Sequence, residues 1–61
     1  MKKDTILGLF NAQLSANAAL AEAIQGLREH DRSKIDTAIA TYISAQTVMI
    51  SNLSVAIAEN D

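Results

Sequence analysis

Cysteine, proline and tryptophan are absent from this 61-residue chain, histidine occurs once, and glycine only twice. Without cysteine there is no disulfide framework, no thiolate metal site and no thiol nucleophile. One histidine cannot form a paired-His metal site within a chain. Gly8 and Gly26 stand alone, so no Gly-rich phosphate loop or dinucleotide fingerprint exists. A single Phe, a single Tyr and a net charge of −2 serve neither base stacking nor phosphate neutralisation, which argues against nucleic acid as a partner. The Lys2-Lys3 pair is not followed by the apolar run and cleavage site of a signal peptide. With half of its residues apolar (49%), the chain is not a disordered tail.

What is present is segregated. Eleven of the twelve charged residues fall in three clusters: Lys2, Lys3 and Asp4; Arg28 to Asp36; Glu59 and Asp61. Only Glu22 interrupts the stretches between them. The first stretch is rich in Ala, Leu and Gln, which lose little on entering a helix. The second holds many β-branched residues, yet its large side chains do not alternate and it is too long for one strand. The pattern predicts an all-α fold in a single domain over 1–61, with helices at 5–29 and 34–58. Asp4 is the expected cap of the first helix. Ser33 and Asp36 have capping-box spacing for the second, with Asp31 as a rival cap two residues earlier.

Ile6, Phe10, Gln13, Asn17, Leu20, Ile24 and Leu27 recur at alternating steps of four and three. Ile35, Ile39, Tyr42, Gln46, Met49, Leu53 and Ala56 do the same. Such spacing marks the seam of a helical bundle. Folded as an antiparallel hairpin at 30–32, the two seams fall into register, Leu27 meeting Ile35 and Phe10 meeting Leu53. One hairpin of this size buries too little apolar surface alone, so assembly into a four-helix bundle or larger helical homo-oligomer is expected. Its core would be Ile6, Phe10, Leu20, Ile24, Leu27, Ile35, Ile39, Tyr42, Met49 and Leu53. Asn17 and Gln46, at mid-helix, would form a polar layer that sets register. The small side chains Gly8, Ala12, Ser15, Ala19, Ala23 and Gly26 would form an outer stripe open to further partners.

Nothing in the sequence points to catalysis, a metal or a cofactor. Ser33 beside His30 and Asp31 has the residue types of a nucleophilic triad, but no pocket or oxyanion donor set, and capping explains it. The leading expectation is therefore a non-enzymatic, cytoplasmic interaction module that binds, inhibits or scaffolds another protein. Small interaction proteins of mobile genetic elements are a setting that suits it. A second reading is a two-span membrane hairpin of the phage membrane-permeabilising type, since 37–58 carry no charge. The mean hydropathy of +0.12 and the scattered amides weigh against it. A third is binding of a small anionic ligand or RNA at a basic turn formed by Arg28, His30 and Arg32.

Overall fold

The computed structural model describes residues 2–59 and is a helical hairpin. Helix α1 spans Lys3–Glu29 and helix α2 spans Arg32–Glu59. They pack side by side and antiparallel in a rod 48 Å long. Each helix runs slightly further than the expected 5–29 and 34–58.

The turn explains the tight reversal. His30 adopts the left-handed conformation (φ 55°, ψ 37°). Its N–H donates to Leu27 O, and Asp31 N–H donates to Gly26 O at 2.9 Å. This is a Schellman closure made without the usual glycine. Asp31, not the Ser33–Asp36 pair, caps α2, accepting from Lys34 N–H at 3.1 Å. Ser33 lies within the first turn, and Asp36 bonds Arg32 instead.

The cap expected from Asp4 is also replaced. Lys2 occupies the N-cap position and has no side-chain cap, and Asp4 lies inside the first turn, where it complements the helix dipole. The carboxylate that closes this end comes from the other helix. Glu59 accepts the Lys2 N–H at 3.0 Å and the Thr5 hydroxyl at 2.9 and 3.0 Å.

Between these two closures the helices meet through alanine. The buried residues of α1 are Thr5, Ala12, Ala16, Ala19 and Gly26, and those of α2 are Ala38, Ala45 and Ala56. The α1 seam therefore sits one residue before the expected one at every level, with Ala16 in place of Asn17 and Gly26 in place of Leu27. On α2, Ile35, Tyr42, Met49 and Ala56 keep their expected places, while Ala38 and Ala45 displace Ile39 and Gln46. The expected pairings of Leu27 with Ile35 and Phe10 with Leu53 are thus corrected: Gly26 faces Ile35, and Phe10 is 62% exposed. The reason is steric. Small side chains on α1 let the backbones approach closely, and the half-buried Ile35, Tyr42 and Met49 fill the space they leave. The Ala12, Ala19 and Gly26 stripe, expected outside, is consumed by this contact.

The two glycines respond oppositely to a methyl group. At Gly8 an added Cβ would meet the Asn52 amide nitrogen at 2.8 Å, the free end of a side chain that can rotate away. At Gly26 it would meet Ile35 Cγ1 at 2.9 Å and the Ile35 backbone nitrogen at 3.2 Å, which cannot. Gly8→Ala is expected to stabilise by up to about 1 kcal/mol through helix propensity. Gly26→Ala should destabilise by about 1–3 kcal/mol through overpacking. Urea denaturation of the two variants checks the sign of each.

Candidate interaction surface

Alanine in the seam leaves most of the large apolar side chains outside it. A step of one residue turns a helix by about 100°, so the residues just after seam positions line one flank. On α1 these are Ile6, Phe10, Leu20, Ile24 and Leu27; on α2 they are Ile39, Ile43, Ile50, Leu53 and Ile57. Leu27, Ile50 and Ile57 are 63%, 64% and 74% exposed. Leu7 and Leu14 widen the surface on the back of α1 and are also exposed. Together these residues put a run of exposed large apolar side chains along one flank of the hairpin.

Four polar side chains cross this flank at mid-height. Gln13 Nε2 donates to Asn17 Oδ1 at 3.0 Å, and Gln46 Nε2 donates to the Tyr42 hydroxyl at 2.9 Å. By the Gly8–Asn52 and Gly26–Ile35 contacts, Gln46 stands level with the stretch between Gln13 and Asn17. The structure thus brings the two expected polar-layer residues to one flank and to within about one helical turn of the same level, but outside the hairpin contact. Asn17 is exposed and Gln46 half-buried.

The opposite flank is small and polar. Two open grooves run along it, of about 500 and 420 Å³. Ser15, Glu22, Lys34 and Thr37 line the groove nearer the turn, and Gly8, Asn11, Ser44 and Val48 the other. Lys34 Nζ reaches across to Glu22 at 3.8 Å and to Glu29 at 3.3 Å. Thr41 and Thr47 return their hydroxyls to the carbonyls of Thr37 and Ile43, which satisfies them within the helix.

Arg32 is held by Asp36 at 3.2 Å. Arg28 falls on the heptad stripe of Leu7, Leu14 and Ala21, away from the seam, and His30 is in the linker. No group of His, Asp and Glu among the described residues could hold a metal ion. No helix among them is long and apolar enough to cross a membrane.

Two carboxylates are shifted downward. The Lys2 N–H, above all, holds Glu59 below its ordinary 4.5, and the Gln25 amide followed by Lys34 does the same for Glu29. A depressed carboxylate contributes stability that is complete above its unfolded value and fades as pH falls through the folded one. The hairpin should therefore weaken on acidification below about pH 4.5. Glu59→Gln is expected to narrow the gap between melting temperatures at about pH 6 and about pH 3. An unchanged gap would remove Glu59 from the acid response.

The sequence matches no protein-family model, and no similar curated protein or solved structure was found.

Proposed function

We propose that this chain is a non-enzymatic interaction module of the cytoplasm. Copies join through the apolar flank into a four-helix bundle or larger helical oligomer, and the assembled body binds, inhibits or scaffolds another protein. One observation carries this reading: most of the large side chains expected in a core, Phe10, Leu20, Ile24, Leu27, Ile39 and Leu53 among them, stand exposed outside the contact between the two helices, and Ile35, Tyr42 and Met49 are only half-buried in it. Among the described residues, none of the large apolar side chains is fully buried, and alanine supplies all the buried hydrophobic positions.

The surface area supports the same conclusion. The chain exposes 4484 Å². A compact monomer of 6.5 kDa would expose about 3,800 Å² by the usual mass scaling. The excess, roughly 650 Å², approaches the ~800 Å² that each partner contributes to a standard interface. Covering one flank of each hairpin would bring the chain close to the burial of a self-sufficient domain.

Light scattering coupled to size exclusion, on untagged protein without detergent, tests the reading. The expected mass is two or more times 6.5 kDa. A folded monomer at micromolar concentration would overturn it.

A further inference from the structure

We infer that the apolar flank is covered by the same flank of a second copy, with the two hairpins antiparallel and the amides of Asn17 and Gln46 each lying close to their own counterpart on either side of the two-fold axis. This rests on the self-assembly proposed above and adds to it the partner, the orientation and the residues that select it.

The first argument is chemical. Once Gln13 has donated to Asn17, the Asn17 amide nitrogen keeps two donors. Once Gln46 has donated to Tyr42, its carbonyl keeps acceptor capacity and the Tyr42 hydroxyl keeps a donor. A purely apolar partner would bury these groups without bonds, which is unfavourable. The covering surface must therefore be apolar above and below, with amides or hydroxyls at one level between. The flank itself has that composition.

The second argument is positional. When two hairpins stack with opposite directions, the symmetry axis crosses the interface at mid-height, and only mid-height features meet themselves. The amides lie there: Asn17 is near the middle of Lys3–Glu29, and Gln46 near the middle of Arg32–Glu59. In this arrangement α1 packs on the partner's α1 and α2 on the partner's α2, so each flank stripe should read alike in both directions. On α2, Gln46 has Ile43 and Ile39 on one side and Ile50 and Leu53 on the other. On α1, Phe10 and Ile24 flank Asn17 at seven residues each way. Two positions break the pattern: Gln13 opposite Leu20, with Gln13 already bonded to Asn17, and, toward the ends of the rod, Asp36 opposite Ile57, with Asp36 already paired with Arg32. A stack with the turns at the same end would set α1 against α2 and require neither symmetry.

The cysteine-free chain makes the test direct. Single-cysteine variants are unfolded and refolded together in pairs, then treated with a short bismaleimide. Asn17→Cys alone should link to itself. Ile57→Cys alone should not, because its copies would lie roughly 34 Å apart along the rod at 1.5 Å per residue. Ile57→Cys mixed with Asp36→Cys should link. If Ile57→Cys links instead with Lys3→Cys, and Asn17→Cys fails to link to itself, the turns share one end and the inference is wrong. The amide role is tested in an Asn17→Leu, Gln46→Leu background, where both the Asp36 and the Lys3 combinations should now link. Linking with Asp36→Cys alone in that background would overturn the claim that the amides select the orientation. A monomeric mass for the parent chain would overturn the self-assembly reading itself, whatever the links show.

Discussion

Ala16→Leu is expected to destabilise the hairpin by about 3 kcal/mol, the upper end of what overpacking ordinarily costs. Ala16 is 1% exposed and sits at the centre of the α1 seam, against the half-buried Tyr42 and Met49 stripe of α2. A leucine there has no void to enter, so it must push the helices apart and loosen Ala12 and Ala19 with it. For a chain of this size that loss is a large share of the total stability, which runs to roughly 3–9 kcal/mol at typical values per residue. The neighbouring substitution Asn17→Leu is the control, because it enlarges the flank and leaves the seam alone. Chemical denaturation of both variants decides the matter. If Ala16→Leu unfolds no earlier than the parent, the helices do not meet through alanine.

Ile39→Asp combined with Ile50→Asp should abolish self-association. Both residues project from the flank, 48% and 64% exposed. In the proposed bundle each aspartate would be an unpaired buried charge, at a cost of several kcal/mol. Association should weaken more than a thousandfold, since each 1.4 kcal/mol is a factor of ten. Helical circular dichroism should fall with it, because an alanine seam alone buries too little apolar surface. Thr37→Asp with Ser44→Asp, on the opposite flank, should leave the mass unchanged. Dissociation by this second pair instead would mean that the grooved flank, and not the apolar one, joins the copies.

The helices, their antiparallel pairing and the position of the turn were legible in the sequence, because each depends on local features. Charge clusters mark the ends, residue composition favours helix, and Asp31 lies where a cap is needed. The inner face was not legible in α1. Ala12, Ala16, Ala19 and Ala23 recur with the same steps as Gln13, Asn17, Leu20 and Ile24, one residue apart. Two stripes with one period compete, and hydrophobicity favours the larger residues. Close packing of two helices favours the smaller ones. In α2, Ile35, Tyr42 and Met49 are both large and inward, so the two criteria agree there, while at Ala38 and Ala45 the smaller residue again takes the place of Ile39 and Gln46. The closing carboxylate was hidden for another reason. Glu59 lies 54 residues from Thr5, and no local pattern announces a cap supplied from so far along the chain. The amides at mid-height were visible, but only the structure places them on the flank rather than between the helices.

An interior of alanine also divides the thermodynamics of this chain in two. Alanine has no rotamers to lose, so closing the hairpin freezes backbone and little else. The leucines and isoleucines of the flank keep their freedom, and their hydration, until something covers them. In the proposed assembly nearly all of the apolar dehydration falls on association. Heat capacity change and denaturant sensitivity, which follow newly exposed surface, would then report mainly on the separation of copies. Dilution alone should move the thermal midpoint, because mass action governs the step in which most apolar surface is buried.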